Sequence, residues 1–197
     1  NEGSEAITGA KGLYFINPLG TEKKPRQLWT QGETQSTSCW MPTIDAPNER
    51  MTQDIFITVN DSLQTFSNGE LVKSTKKNDM RTDHWSMKKP HAPYLAAMVV
   101  GEFAVFNDQW KNVPLKYIVE KDYASSATAI FKNTPEMLTF YSSLLNYPYP
   151  WPKYDQAVVS DFVSGAMENT TLTIHGDMLK LSNRELADNH YEDVIAH

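Results

Sequence analysis

The chain has 197 residues, 40% of them hydrophobic and 21% charged, so it is long enough to bury a core and has the composition of a folded protein. Its net charge of -6 argues against a nucleic-acid partner, because phosphate binding needs clustered Lys and Arg. The single cysteine, Cys39, excludes an internal disulfide, and no apolar run reaches the roughly 18 residues of a membrane span. No targeting segment is visible, which leaves the compartment open.

The first part of the chain has the period-two pattern of β-strands. Ile55, Ile57 and Val59 fall on one face by strict alternation, as in a half-buried strand. Two further runs rich in Val, Phe and Ile, at 94–108 and 113–122, flank a polar turn. This pattern predicts an antiparallel β-sandwich.

The dipeptide Asn68-Gly69 stands between two alternating stretches of this first part. Both residues tolerate a positive φ, which a two-residue β-turn requires, and Asn-Gly is the strongest short hairpin signal. We therefore expect a tight hairpin at this point.

The pattern changes to a helical period after residue 123. Apolar residues recur at a 3.6-residue spacing over 124–146, which predicts a helix or a pair of helices kinked at Pro135. The proline-rich stretch 147–152 ends this segment, and 154–162 returns to a strand pattern. The switch of period predicts a domain boundary near residue 122.

The last residues have the pattern of a helix start. Asn189 followed three positions later by Glu192 forms a capping-box pattern, and Glu192 and Asp193 place negative charge at the positive end of the helix dipole. Only five residues follow Glu192, too few for a stable isolated helix. We expect the chain to stop inside a longer helix, with fraying at a natural end as the alternative.

A lone carboxylate, Glu168, follows a Gly-Ala pair, and the chain ends on His197. Taken alone, both signals are weak, because a single glutamate after a turn is more often an exposed loop acid. The five histidines contain no pair at the i, i+4 spacing that puts two imidazoles on one helical face for zinc. The residues by themselves complete no metal site.

Several stretches together resemble one family. The sequence GAMEN at 165–169, followed by VIAH at 194–197, is similar to the aminopeptidase N and leukotriene hydrolase family of zinc metallopeptidases, in which Gly-x-Met-Glu-Asn precedes a helix bearing His-Glu-x-x-His. QGE at 31–33 resembles that family's Gln-x-Glu segment, and PTIDAP at 42–47 its Pro-x-x-Asp-x-Pro segment. The stretch YPYPWPKYDQAVVSDF resembles its proline-rich approach to the Met-Glu-Asn strand.

The resemblance implies that two acids bind the amino terminus of a substrate. Glu168 would bind the free α-amino group, and Glu33 would be a second acid at the same ammonium. Gln31 would contact the first residue of the substrate. Two acids that bind one ammonium would make the enzyme cleave at a fixed distance from the amino terminus of the substrate.

The rest of the motif is implied to line the cleft and to begin the metal site. Gly165 and Ala166 would lie beside the substrate backbone, where small residues permit close approach. Met167 and Asn169 would complete the substrate-binding segment. His197 would be the first zinc ligand, while the other ligands, the general base and an oxyanion tyrosine would lie beyond residue 197.

For the fold, the resemblance implies a mainly β protein in two parts. Residues 1–122 would be the carboxyl-terminal portion of an antiparallel β-sandwich domain, and 123–197 the truncated α+β opening of a thermolysin-like catalytic domain. The remainder of that domain would be a partner of this chain.

For the activity, the resemblance implies a fragment, inactive alone, of a zinc-dependent aminopeptidase that releases single amino acids from peptides with a free amino terminus. The alternative is a non-catalytic scaffold relative that has lost zinc, and the presence of both Glu33 and Glu168 argues against it. Epoxide hydrolysis beside peptidase activity would depend on residues outside this chain, and an acid at Glu33 favours the ordinary aminopeptidase.

Overall fold

The computed structural model describes residues 12–197, so the first eleven residues of the predicted domain 1–122 lie outside the described residues. Within 12–197, twelve strands form three sheets, which we call the outer, central and mixed sheets. The central sheet has the strand order β1-β2-β7-β4 and is antiparallel throughout. Its strands are β1 (Gly12–Ile16), β2 (Gln27–Gln31), β4 (Gln64–Ser67) and β7 (Met98–Gly101).

The outer sheet contains the strand that alternation predicted. It has the antiparallel order β3-β6-β5, with β3 at Met51–Asn60, β5 at Glu70–Lys77 and β6 at Met80–His91. Along β3 buried and exposed positions alternate, which confirms the period-two prediction. Every residue of the edge strand β5 is exposed, and three of its eight residues are lysines, a composition that protects a free edge.

The mixed sheet carries the second half of the chain. Its order is β11-β12-β10-β9-β8, and β10 pairs in parallel with both β12 and β9. The strands are β8 (Phe103–Trp110), β9 (Val113–Glu120), β10 (Tyr154–Val158), β11 (Ala166–Met167) and β12 (Leu172–His175). Because β8 and β9 precede residue 122 and β10 to β12 follow it, this sheet crosses the predicted domain boundary, which stays a prediction.

Three α-helices are present in the described residues: α1 (Ala127–Ile130), α2 (Thr134–Leu144) and α3 (Glu192–Ala196). The break between α1 and α2 confirms the prediction of a helix pair, with Pro135 in the first turn of α2, where a missing N–H costs nothing. No helix in 12–197 is long and apolar enough to cross a membrane.

Apolar clusters show how these layers stack. One cluster joins the central and mixed sheets and includes Trp29, Val99 and Ile174. A second joins the mixed sheet to the helices and includes Phe131 and Ile195. A third cluster joins the outer sheet to the other face of the central sheet. The order is therefore outer sheet, central sheet, mixed sheet and helices, which confirms a mainly β fold of antiparallel sheets leading into an α+β portion.

The predicted hairpin at Asn68-Gly69 is wrong. The strand before it, β4, pairs with β7 in the central sheet, and the strand after it, β5, pairs with β6 in the outer sheet. The dipeptide therefore carries the chain from one sheet to another. Gly69 does have the expected positive φ of 73°. The tight turn lies instead between β5 and β6, where Asn78 has a φ of 54°.

The predicted capping box at Asn189 is also wrong. Helix α3 is capped by Tyr191, in a left-handed conformation and with no side-chain hydrogen bond to the helix. The Glu192 carboxylate accepts a hydrogen bond from Asn133 Nδ2 at 2.6 Å instead, at the start of α2. Ile195 is buried, so the apolar face of this short helix is covered by the second cluster.

Candidate functional site

Glu168 lies in the connection between β11 and β12. Met167, immediately before it, is buried in the cluster between the central and mixed sheets, and its backbone pairs with Ile174 of β12. Glu168 is the first residue after β11, and its side chain is exposed. In residues 12–197 the Glu168 carboxylate takes part in no hydrogen bond or ion pair. The acid is therefore free to bind a ligand.

The three residues after Glu168 are buried and held by hydrogen bonds from several directions. Asn169 Nδ2 donates to the Ala96 carbonyl at 3.5 Å, and the Thr170 N–H donates to the Leu95 carbonyl at 3.3 Å. The Thr171 carbonyl accepts from the Asp155 N–H of β10 at 3.0 Å. An exposed acid thus stands on a fixed backbone, which limits the entropy that a ligand must remove on binding.

Gly165 and Ala166 lead into this acid from an open side. A Cβ added to Gly165 would meet one atom within 4 Å, the terminal methyl of Met178 at 3.2 Å. Both residues are partly exposed. The surface in front of β11 therefore carries no bulky side chain from these two residues, and another chain could approach the β11 backbone closely.

Gln31 and Glu33 lie at the end of β2. Gln31 is buried, and its Oε1 accepts from the Glu33 N–H at 3.2 Å, while the Glu33 side chain is exposed. Gly32 between them has no space for a side chain, because a Cβ would come within 2.8 Å of the Tyr94 carbonyl. The Thr37 hydroxyl also donates to the Pro93 carbonyl at 2.9 Å.

The segment 93–96 therefore contacts both predicted acid-bearing loops. The Gly32 turn packs on Tyr94 from one side, and Thr170 and Asn169 bond to Leu95 and Ala96 from the other. The fold brings the Gly32 turn and the Glu168 loop to one segment of chain, although the two loops are far apart in the sequence.

A cavity of about 610 Å³ contains Glu168, Asn169 and His197 in its wall. His197 is exposed, and its N–H is bonded to the Asp193 carbonyl at 3.1 Å, which places it on the last turn of α3. Gln31, Glu33, Gly165, Ala166 and Met167 are not part of this wall. Of the residues that the sequence singled out, the cavity thus unites one carboxylate, one amide and one imidazole.

Most of the remaining wall is aromatic or apolar, a feature that the sequence analysis missed. It is formed mainly by Leu95, Met137, Leu138, Tyr141, Leu145, Tyr149, Trp151 and Tyr154. Burial, with the nearby Tyr154 and Asp155, raises the pKa of Tyr149 above its usual range, so its hydroxyl stays protonated and donates to the Lys153 carbonyl at 3.0 Å. The only signal in the sequence was the density of aromatic residues in the proline-rich stretch after α2.

A larger groove, of about 710 Å³, lies between the outer and central sheets. Its wall is mostly apolar and includes Leu28, Ile57 and Val100, and it contains none of the candidate substrate-binding or metal-ligating residues. We therefore assign the candidate site to the smaller cavity.

The described residues do not by themselves form a zinc site. A catalytic zinc takes three protein ligands, and residues 12–197 contain no group of three His, Cys, Asp or Glu side chains placed to hold a metal. His197 supplies one imidazole. No reaction step through a metal can be derived from these residues.

The fold consists of stacked antiparallel sheets that lead into a mixed sheet with helices. An exposed carboxylate and an imidazole share one cavity of this fold. A protein-family sequence model described as the peptidase M1 N-terminal domain matches residues 6–95 of the chain. A second family model, described as the peptidase family M1 domain, matches residues 130–197. The chain belongs to the M1 peptidase family.

Similar curated proteins include both aminopeptidases and a transcription factor subunit. Endoplasmic reticulum aminopeptidase 1 of Rattus norvegicus is 30% identical over 176 residues, covering 87% of this chain and 19% of that protein. Aminopeptidase M1 of Arabidopsis thaliana is 23% identical over 176 residues, covering 89% and 20%. Transcription initiation factor TFIID subunit 2 of Danio rerio is 26% identical over 181 residues, covering 84% and 15%. The chain spans a fifth or less of the length of these relatives.

Proposed function

We propose that this chain is part of an aminopeptidase and that it supplies the residues that bind the free amino terminus of a peptide. The observation that carries the proposal is the Glu168 carboxylate, which is exposed, unbonded within residues 12–197 and mounted on a buried, hydrogen-bonded loop at the cavity that includes His197. Membership of the M1 peptidase family and the aminopeptidase names of two relatives support it.

The physical reason lies in the chemistry of an ammonium group. An α-ammonium that leaves water for a cleft needs a fixed anion to replace its hydration, and hydrogen bonds to charged groups contribute about 1.5–3 kcal/mol each. A carboxylate already bonded to the protein would have to exchange partners first. Glu168 has no such partner to give up in residues 12–197.

The neighbouring residues receive roles in the same proposal. Glu33 is a second acid for the ammonium, and Gln31 contacts the first residue of the substrate. The Oε1 of Gln31 also accepts from the Glu33 N–H, which orients that turn. Gly165 and Ala166 leave space for the substrate backbone, and Met167 and Asn169 anchor the segment from below. The aromatic wall of the cavity receives apolar parts of the peptide.

Zinc belongs to the proposal through the family alone. His197 is the ligand that this chain would contribute, and the metal would supply an activated water for hydrolysis. The other ligands and the general base would come from sequence beyond residue 197. The chain by itself should then be inactive, because one imidazole does not hold a catalytic zinc.

A second candidate is a non-catalytic scaffold. The similarity to a transcription initiation factor subunit favours it. Two exposed acids near one segment of chain favour the enzyme, since a scaffold has no ammonium to bind. The four residues that follow His197 in the gene separate the candidates, because Glu-x-x-His there would complete a zinc-binding helix.

The proposal is tested by Glu168→Gln in the full-length protein that contains this chain. The substitution keeps shape and removes one charge, so kcat/KM for a peptide with a free amino terminus should fall about 10- to 100-fold. Glu49→Gln, a matched change at an exposed acid outside the cavity wall, should leave it unchanged. Equal rates for Glu168→Gln and wild type would show that Glu168 is only a loop acid.

A further inference from the structure

Asn68 is fully buried between the central sheet and the loop that carries Glu168. Its Nδ2 donates to the Thr170 carbonyl at 2.5 Å and to the Leu95 carbonyl at 3.0 Å. Its Oδ1 accepts from the Ala97 N–H at 2.6 Å and from Gln53 Nε2 at 2.9 Å. An amide side chain has two donors and an oxygen with two lone pairs, so all of its hydrogen-bonding capacity is used.

These four bonds join three separate parts of the chain. Gln53 belongs to β3 of the outer sheet, and Thr170 lies two residues after Glu168. Leu95 belongs to the segment 93–96, which also packs on the Gly32 turn through Tyr94, and Ala97 follows that segment directly. Asn68 is therefore bonded to the backbone beside both predicted acid-bearing loops.

The residue after Asn68 adds a second bond to the same loop. The Gly69 N–H donates to Thr171 Oγ1 at 2.8 Å. This approach requires glycine, because a Cβ on Gly69 would lie 2.0 Å from the Ser86 carbonyl oxygen and its φ is 73°. Asn68-Gly69, which the sequence predicts as a hairpin turn, thus holds two consecutive residues of the Glu168 loop.

We propose that Asn68 is a positioning residue for Glu168: it fixes the loop so that the carboxylate is presented to the substrate's amino terminus. The inference rests on the proposed function. A buried amide that holds Thr170 from the side of the central sheet restricts the backbone two residues from the acid. Displacing a binding group by about 1 Å can cost on the order of 100-fold in rate, so the hydrogen bond acts on catalysis through Glu168.

The test is Asn68→Asp in the full-length protein. It keeps the acceptor for Ala97 and Gln53 and places an oxygen against the Thr170 and Leu95 carbonyls. The measured quantity is the ratio of kcat/KM for a free peptide to that for its amino-terminally acetylated form. The ratio should fall about 10-fold, and amide exchange over residues 168–171 should become faster.

Two further variants separate positioning from general destabilisation. Asn17 is also a buried asparagine that donates to two carbonyls, those of Glu22 and Lys24, and Asn17→Asp should leave the ratio unchanged. Thr171→Val removes only the acceptor of the Gly69 N–H and should lower the ratio by a smaller factor, so it carries the test if Asn68→Asp does not fold.

The double variant Asn68→Asp/Glu168→Gln decides the mechanism. If Asn68 acts through the acid, the double variant should have the same ratio as Glu168→Gln. A ratio in Asn68→Asp equal to that of the wild type, or effects of the two changes that multiply, would overturn the role of Asn68 and leave the proposed function standing. An unchanged ratio in Glu168→Gln would instead overturn the proposed function itself.

Discussion

Replacing Lys153 should destabilise the fold more than replacing the lysine of any exposed ion pair. The side chain is buried, and its Nζ lies 2.5 Å from Asp155 Oδ2 and 2.9 Å from the Ser67 carbonyl oxygen. It also lies 4.9 Å from the centre of the Trp85 ring. The ammonium at the start of β10 therefore bonds to the end of β4 and packs on β6, so it links the mixed sheet to both other sheets.

Lys153→Met keeps the length of the side chain and removes its charge. The Asp155 carboxylate would then be buried with no cation, and its Oδ1 already has no hydrogen-bond partner among the described residues. Breaking a buried ion pair by removing one partner costs about 3–5 kcal/mol. We expect a loss of that size in the free energy of unfolding.

Urea denaturation, monitored by tryptophan fluorescence, measures this loss from the midpoint at constant slope. The matched control is Lys121→Met, whose pair with Glu102 is exposed and should be worth less than about 1 kcal/mol. The double variant Lys153→Met/Asp155→Leu should recover much of the stability, because no charge is left buried. A loss below about 1 kcal/mol for Lys153→Met would refute this reasoning.

Two other predictions concern buried positions in the same layers. Burial lowers the pKa of His175 from 6.5 to about 4, so stability should be fully present above pH 6.5 and should fall by up to about 3 kcal/mol towards pH 4, where the unfolded chain binds the proton first. His175→Leu should reduce that fall in acid denaturation, and an unchanged pH dependence would contradict a buried neutral ring. Gly69→Ala should cost more than about 2 kcal/mol in thermal unfolding, because its Cβ would strike the Ser86 backbone, whereas Gly165→Ala should cost less than about 1 kcal/mol. Similar losses for the two alanine variants would refute the packing argument.

Local periodicity in the sequence predicted individual strands and helices, but it did not predict which strands pair with each other. The alternation of Ile55, Ile57 and Val59 depends on one strand having one buried face, so it is visible in the sequence. Whether Asn68-Gly69 forms a hairpin depends on which strands β4 and β5 pair with, and those partner strands lie within residues 80–101. A turn signal is therefore overridden where side-chain bonds to a distant loop stabilise a crossing between sheets.

The candidate site divides in the same way. The sequence GAMEN at 165–169 singled out Glu168, and the resemblance of this motif to a peptidase family suggested a role for the acid. The residue type alone does not indicate a function for a single glutamate. The aromatic cavity wall and Asn68 were missed, because α2, the proline-rich stretch and the central sheet meet only in the folded chain. Glu192 shows the reverse case, in which a local capping signal is replaced by a bond to Asn133.

The central claim is that this chain binds a free amino terminus through two acids, Glu33 and Glu168. The most direct measurement is the ratio of kcat/KM for one peptide with a free and with an acetylated amino terminus, made on the wild-type full-length protein. Two charge-assisted contacts of at least about 1.5 kcal/mol each predict a ratio of about 100 or more, with single residues released in order from the free peptide. Equal hydrolysis of both peptides, or of neither, would contradict the account.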